Sequence, residues 1–159
     1  MTIGDGLTIT DLAYAAALVD GEGCVGIKRS KGIRPKRGSV SPEYRVYILV
    51  ANTYKPVIDW MQLKFGGSVG FRQPKQDCVD GRKRKVCYRW RLASASAVMF
   101  LRLIRPYMII KKDQADLCFM FQESVQTKCK KRILSEETLK FREECFQKNR
   151  MLNQTGVKL

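Results

Sequence analysis

The chain has 159 residues, of which 45% are hydrophobic and 28% are charged. This length suits one domain with a single core, and we predict one domain over residues 1–159. The 30 Lys and Arg residues against 15 Asp and Glu residues give a net charge of +15. Such an excess is typical of proteins that bind a polyanion, although a merely soluble basic surface would also produce it.

The sequence contains no histidine, which excludes Ser-His-Asp and Cys-His catalysis. Its six cysteines include no C-x-x-C pair, so neither a zinc site nor a disulfide framework is indicated. We therefore expect reduced thiols and an intracellular protein. The N-terminus lacks a basic region followed by a long apolar run, and no cleavable signal is predicted. Any chemistry must use carboxylate, lysine, amide, water or metal.

Residues 10–27 are predicted to begin as a helix and to end as a strand. Thr8 or Thr10 can cap the helix, and Asp11 lies where an acid complements the helix dipole. The uncharged run that follows is too short to span a membrane, so the helix should be buried on most sides. Ala13 and Ala17 form a strip of small side chains along which a second helix can approach closely.

Glu22 lies between Gly21 and Gly23, where this helix must end. A carboxylate at a helix C-terminus sits beside unpaired carbonyl groups and the negative end of the dipole, so a nearby cation would stabilise it. Hard divalent ions bind carboxylate and carbonyl oxygens, which makes Glu22 and the Gly21 carbonyl a candidate partial magnesium site. The alternative is a solvent-exposed acid in an ordinary glycine turn.

Residues 15–23, AAALVDGEG, resemble the nonapeptide that names the LAGLIDADG homing endonucleases, with Glu22 in place of the final aspartate. In that family two such helices pack across a dyad, and the eighth motif residue of each reaches a metal at the scissile phosphates. Because the motif occurs once here, the resemblance implies a homodimer in which two Glu22 side chains converge. The implied metal is Mg²⁺ or Mn²⁺, with Ca²⁺ expected to bind without cleavage. The implied dimer interface comprises Ala13, Ala16, Ala17 and Asp20.

The rest of the chain predicts alternating helices and strands. Strands are expected over residues 24–30, 44–52, 68–73 and 85–93, and along the second of them Val46, Ile48 and Val50 alternate with Arg45, Tyr47, Leu49 and Ala51. Helices are expected over residues 53–65 and from a cap at Ser94 or Ser96 through Ile104. Residues 106–115 should lead into a helix that runs to about residue 126, and the last helix should cover residues 135–149. The resemblance covers roughly residues 12–126. It implies an α+β fold of αββαββα type with a saddle-shaped antiparallel sheet, a core over about residues 10–126 and a C-terminal helical extension over about 127–150.

One predicted strand separates apolar from cationic side chains. Val86, Tyr88, Trp90 and Leu92 alternate with Lys85, Cys87, Arg89 and Arg91, so one face carries cations about 7 Å apart, close to phosphate spacing. A β-ribbon of this kind can enter the major groove, where Arg pairs with guanine. A sheet face that is simply solvated is the alternative. The predicted DNA-binding residues are Lys28, Ser30, Arg34, Lys36, Arg37, Arg45, Tyr47, Arg72, Lys85, Arg89 and Arg91.

The resemblance also implies further catalytic residues. Pro106 to Lys111 matches the family's P-x-x-x-x-K segment, which makes Lys111 the basic residue that acts with the metal-bound acid. Without the resemblance, Lys111 would be a surface lysine near a helix start. The turn after the second strand carries a polar residue and a cation in the family, and Asn52 and Lys55 occupy it here, with Thr53 as the alternative to Asn52.

The implied activity is metal-dependent hydrolysis of both strands of a long pseudo-palindromic DNA site across the minor groove, leaving short 3′ overhangs. Two other interpretations stay open. The chain could be a non-cleaving relative, either a maturase acting on a host intron RNA or a regulator. It could instead be an unrelated basic RNA-binding module. No membrane partner is expected.

Overall fold

The computed structural model describes residues 6–30, 42–74, 83, 85–126 and 135–154. The order of helices and strands predicted from the sequence is confirmed, and the fold is α+β. A short 3₁₀ turn, Arg105–Tyr107, joins the third and fourth helices. The elements are α1 (Ile9–Glu22), β1 (Gly23–Ser30), β2 (Glu43–Asn52), α2 (Lys55–Phe65), β3 (Ser68–Arg72), β4 (Cys87–Ala93), α3 (Ser94–Ile104), α4 (Lys112–Gln126) and α5 (Glu136–Gln154).

The four strands form one antiparallel sheet in the order β1-β2-β4-β3. Gly23 lies opposite Val50 on β2, and Arg89 on β4 lies between Ala51 and Gly70. Because successive side chains point to opposite sides of a strand, this register divides the sheet into two faces. We call them the helix face, which α1, α2 and α3 cover, and the open face.

The helix face carries the hydrophobic core. Val25, Ile48, Val50 and Trp90 are completely buried against the helices. The Trp90 ring packs edge-on against Phe100 at a centroid distance of 5.1 Å, and its Nε1 donates to the Gly66 carbonyl at 2.7 Å. The alternation predicted for β2 and β4 is thus confirmed for the core side of the sheet.

Helix starts agree with the sequence in part. Thr8 caps α1 in a capping box with Asp11, whose pKa is lowered chiefly by the backbone hydrogen bond from Thr8. The serine caps predicted for α3 are wrong, because Ala93 is the N-cap and Ser94 begins the helix with a φ of 54°. At the start of α2, Asn52 Oδ1 accepts a hydrogen bond from Tyr54 N at 2.8 Å.

The helix α5 packs along the free edge of β1. Asn149 Oδ1 accepts from Ile27 N at 3.1 Å, and Asn153 Nδ2 donates to the Val25 carbonyl at 3.2 Å. The helix continues to Gln154, so the prediction that it ends near Asn149 is wrong. None of the helices in the described ranges has the length and hydrophobicity needed to span a bilayer.

Candidate active site and nucleic-acid interface

The C-terminus of α1 presents Glu22 to solvent. Glu22 is the last residue of the helix and is exposed, as is Gly21. The next residue, Gly23, donates its N–H to the Val19 carbonyl, and a Cβ on Gly23 would lie 2.5 Å from that oxygen. A glycine is therefore required for the chain to turn directly from α1 into β1, and this turn leaves the Glu22 carboxylate accessible.

Two residues before Glu22, the Asp20 carboxylate is 9% exposed and binds a backbone segment. Its Oδ2 accepts hydrogen bonds from Ile109 N at 2.6 Å and Ile110 N at 3.1 Å, and its Oδ1 accepts from Lys111 N at 3.0 Å. The sequence placed Asp20 in a dimer interface. The carboxylate is bound inside its own chain, and the interface role stays a prediction.

Lys111 lies at the same helix end. Its Nζ donates to the Val19 carbonyl at 3.1 Å and to the Asp20 carbonyl. A cation at these carbonyls is favourable, because the last carbonyls of a helix lack intrahelical partners and carry the negative end of the dipole. The structure therefore brings the Lys111 ammonium into the turn of α1 that ends at Glu22.

The residues after β2 have local partners instead. Asn52 lies opposite Tyr88 on the helix face, and its amide oxygen is used by Tyr54 N. Lys55 Nζ binds the Asp59 carboxylate at 2.6 Å on the exposed start of α2. The role predicted for Asn52 and Lys55 beside Glu22 stays a prediction, and both side chains also have local partners in this turn. Thr53, the alternative, is exposed in the same turn.

The donor chemistry for a divalent ion is present but incomplete. Glu22 offers a carboxylate and Gly21 a carbonyl oxygen, and Mg²⁺ prefers both. Within the described part of the chain, no three His, Cys, Asp or Glu side chains lie close enough to hold a metal. These residues therefore fit one half of a magnesium site, to which a second chain would add the other carboxylate.

An exposed strip on α1 could accept that second chain. Ala13 and Ala17 are exposed in the single chain, whereas Ala16 is completely buried in its own core and has no surface to offer a partner. Exposed apolar residues flank the strip. On one flank Ile109 and Ile110 are 82% and 58% exposed.

The opposite flank is formed by α2 and the residue before it. Tyr14 packs edge-on against Trp60 there at 5.1 Å, and Tyr54 is exposed beside them. These three side chains line part of a groove of about 390 Å³. We call the alanine strip with its two flanks the α1 surface.

The open face of the sheet carries the predicted cations. Arg91 is exposed, and its Nη2 lies 3.0 Å from the position a Cβ on Gly70 would take, so the small residue makes room for the guanidinium. Arg89 is partly buried, and its Nε has no hydrogen-bond partner among the described residues. Lys28 and Arg72 are exposed at strand ends. Cationic donors thus line this face.

The other residues predicted to bind DNA have neighbours of their own, lie outside the strands or lie outside the described residues. Arg45 is on the open face but binds Glu43 at 2.6 Å, which partly neutralises it. Ser30 Oγ donates to the Glu43 carbonyl at 3.3 Å. Lys85 is exposed but precedes β4, which begins at Cys87. Arg34, Lys36 and Arg37 lie outside the described residues.

Tyr47 and Cys24 form a pair on the open face, with 3.2 Å between the phenol oxygen and Sγ. Burial, with a smaller effect of the Cys24 hydrogen bond, raises the pKa of Tyr47 well above its usual value. Tyr47 is therefore a neutral hydroxyl at physiological pH. Sequence reasoning did not include Cys24, Leu49 or Ala51 in this surface as binding residues, although the alternation along β1 and β2 places all three there.

Comparisons with known proteins agree with this arrangement. No protein-family model matches the sequence, and no curated protein matches it. The homing endonuclease I-CvuI, solved with its target in the presence of calcium, superposes with a TM-score of 0.69 at 17% identity, over 94% of this chain and 86% of that one. The archaeal intron-encoded homing endonuclease I-Vdi141I, complexed with DNA, superposes with a TM-score of 0.68 at 13% identity, over 93% of this chain and 87% of that one.

A third structure is longer. The LAGLIDADG homing endonuclease I-LtrWI, bound to target DNA, matches 91% of this chain but only 46% of its own length, with a TM-score of 0.60 and 16% identity. Together with the αββαββα order, the single antiparallel sheet and the glycine-flanked acid at the end of α1, these likenesses show that the chain has the fold of the LAGLIDADG homing endonucleases.

Proposed function

We propose that this chain is a divalent-metal-dependent, site-specific endonuclease that cleaves both strands of duplex DNA as a homodimer. The observation that carries the proposal is the Lys111 ammonium, which binds the last carbonyls of α1 beside Glu22. An acid able to bind metal and a cation able to bind phosphate thus lie at one helix end. The cation-bearing open face and the net charge of +15 supply a surface for the duplex.

Two arguments support a homodimer. A single chain supplies one Glu22 carboxylate, which is half of the donor set for the metal. The solved structure of I-LtrWI is covered over only 46% of its length, so a longer chain of this fold has room for two such units. Two copies would bring their Glu22 side chains together only if their α1 helices run parallel about a dyad along the α1 surface.

Each residue then has a defined task. The Glu22 carboxylate holds the cation at the phosphates, and Lys111 donates hydrogen bonds to a phosphate oxygen or to the water around it. A bound Mg²⁺ would lower the pKa of water and stabilise the charge that develops on phosphate. Arg89 and Arg91 donate hydrogen bonds to base edges in the DNA, whereas Lys28 and the basic residues after it, including Lys36, bind the phosphates of the DNA backbone.

The symmetry of the dimer determines the form of the target. Two copies related by a dyad read two half-sites of opposite orientation, so the site is long and pseudo-palindromic. Two equivalent reaction centres cut one strand each, and we expect short 3′ overhangs across the minor groove. Mn²⁺ should replace Mg²⁺, and Ca²⁺ should support binding without cleavage.

The test is selection from a randomised duplex library. The protein is incubated with the library and Mg²⁺, and the cut ends are sequenced. The proposal expects paired, staggered breaks within one pseudo-palindromic consensus. It is overturned if no breaks form and the protein binds random RNA as tightly as duplex DNA, which would indicate an RNA-binding module or an intron maturase.

A further inference from the structure

Asp20 accepts hydrogen bonds from both the backbone and the side chain of Lys111. Its carboxylate accepts the Lys111 N–H at 3.0 Å, and its backbone carbonyl accepts from the Lys111 ammonium. The same carboxylate binds the two preceding N–H groups, those of Ile109 and Ile110. Asp20 therefore contributes to the position of both the Lys111 backbone and the Lys111 ammonium.

These contacts hold the backbone that leads into Lys111. Residues 109–111 lie between the 3₁₀ turn and α4, and the Lys111 carbonyl at the end of this segment accepts from Ala115 N in the first turn of α4 at 3.1 Å. Their side chains offer little anchorage, since Ile109 and Ile110 are 82% and 58% exposed. Three backbone donors converging on one carboxylate form charge-assisted hydrogen bonds, which are stronger than neutral ones. Without the Asp20 carboxylate, the backbone of residues 109–111 would lose three hydrogen bonds and Lys111 would be held by fewer contacts.

We propose that Asp20 is a positioning residue, which sets the place of the Lys111 ammonium relative to Glu22 without itself contacting DNA or metal. This inference rests on the proposed function, since Lys111 must act in cleavage for its position to matter. Reacting groups displaced by about 1 Å can lose about 100-fold in rate, so a residue that fixes such a group affects the rate strongly. Asp20 is buried and used by three N–H groups, so its carboxylate is not available as a metal ligand.

The first test measures the position of Lys111 without requiring catalysis. Native protein is treated briefly with an acetylating reagent, and modification of Lys111 is measured by mass spectrometry relative to Lys148, which is exposed on α5. Asp20→Asn should raise Lys111 modification severalfold. The matched control is Asp116→Asn, which removes an ion pair with Arg105 on the neighbouring 3₁₀ turn and should leave Lys111 unchanged. Equal Lys111 modification in wild type and Asp20→Asn would overturn the inference.

The second test is a double-mutant cycle on single-turnover cleavage of the selected target. Asp20→Asn should lower the rate by about tenfold or more, while the dissociation constant for the duplex in Ca²⁺ changes less than about twofold. In a Lys111→Ala background, Asp20→Asn should cause no further loss. If Asp20 only stabilises the fold, Asp20→Asn would lower the cleavage rate by the same factor in the wild-type and Lys111→Ala backgrounds. That result would overturn the inference.

The outcomes separate this inference from the proposed function. A wild-type protein that never cuts DNA refutes the nuclease, and acetylation then still decides whether Asp20 fixes Lys111. If Asp20→Asn does not fold, amide hydrogen exchange of the wild type provides the test. The N–H groups of Ile109, Ile110 and Lys111 should exchange slowly despite the exposed side chains, and exchange at the rate of a free peptide would refute the anchor.

Discussion

Asn149 on α5 accepts a hydrogen bond from the Ile27 N–H on β1 across 122 positions of sequence, at 3.1 Å. Its amide also lies against Gly26, where a Cβ would come within 2.4 Å of Oδ1. The contact covers the free edge of the first strand, which would otherwise present unpaired backbone groups. The last helix thus holds in place the strand that leads directly out of the candidate site.

Replacement of Asn149 should destabilise this junction. Asn149→Ala leaves the buried Ile27 N–H without its acceptor, which costs about 1–3 kcal/mol of unfolding free energy. Urea titration followed by circular dichroism measures the change. Asn153→Ala is the matched control, since Asn153 is exposed and its bond to the Val25 carbonyl can be replaced by water. Equal losses in the two variants would contradict the importance assigned to Asn149.

The second junction between α5 and the sheet should be sensitive to acid. The hydrogen bond that the Tyr44 hydroxyl donates to Glu143 is the largest cause that holds the Glu143 pKa below its ordinary value, and Gln147 adds to it. Since the folded-state pKa is depressed, Glu143 contributes stability above its unfolded pKa, near 4.3, and loses it as pH falls through the folded value.

Thermal melting between pH 7 and pH 3 tests this. The melting temperature of the wild type should fall below about pH 4, and Glu143→Gln should flatten part of that fall. At the alkaline end, burial raises the pKa of Tyr44 to about 12, so its contribution is complete below pH 10 and is lost as pH rises through 12. An identical acid profile for the wild type and Glu143→Gln would show that the junction does not contribute.

Base recognition is predicted for the open face. Arg91→Ala should cost about 1–3 kcal/mol of discrimination at one base pair, whereas Lys28→Ala should weaken binding of all sequences and reduce the salt dependence. Gly70→Ala should have a smaller effect than Arg91→Ala, because its Cβ would lie 3.0 Å from Nη2 at the end of the flexible Arg91 side chain, which can shift away. Binding to a library of single-base-pair variants of the target measures these effects. A uniform loss of affinity in Arg91→Ala would assign the guanidinium to phosphate instead.

The α1 surface predicts which residues meet in a homodimer. When parallel α1 helices pack about a dyad, the flank of one chain faces the opposite flank of its partner, so the exposed Ile110 side chain should be buried in the interface. Ile110→Glu would bury an unpaired charge and should weaken association by more than about tenfold, as measured by sedimentation. Leu63→Glu, at a site 83% exposed on α2, should not.

A conservative change at the same position gives a second control. Ile110→Leu keeps the apolar side chain without adding a charge, so it should leave association unchanged. A wild type that sediments as a monomer both with and without DNA would refute the homodimer itself.

Much of the fold could be predicted from local patterns. Period-two alternation along β2 and β4 identified the core side and the cationic side of the sheet, because each strand is buried on one face only. The capping pair Thr8 and Asp11 is only three residues apart in sequence. These features depend on neighbours along the chain, and such signals are visible in a single sequence.

The missed features depend on contacts between distant segments. Nothing near Asp20 in sequence indicates that its carboxylate binds residues 109–111, and its position in the motif suggested an interface instead. Ala16 and Ala17 are the same residue type at neighbouring positions, yet only Ala17 is exposed. The hydrogen bond by which the Asn52 amide completes the turn before α2 was likewise not expected from the sequence. Which polar groups satisfy one another is decided by packing, which one sequence does not show.

The most direct measurement compares Glu22→Gln with the wild type on the selected duplex. Glutamine preserves the shape of the side chain but removes the charge that would hold Mg²⁺. We expect the variant to bind the duplex in Ca²⁺ within about twofold of the wild type, and to show no strand cleavage in Mg²⁺. Glu144→Gln, which changes an exposed acid on α5, should cut normally. Undiminished cleavage by Glu22→Gln would contradict the proposed reaction centre.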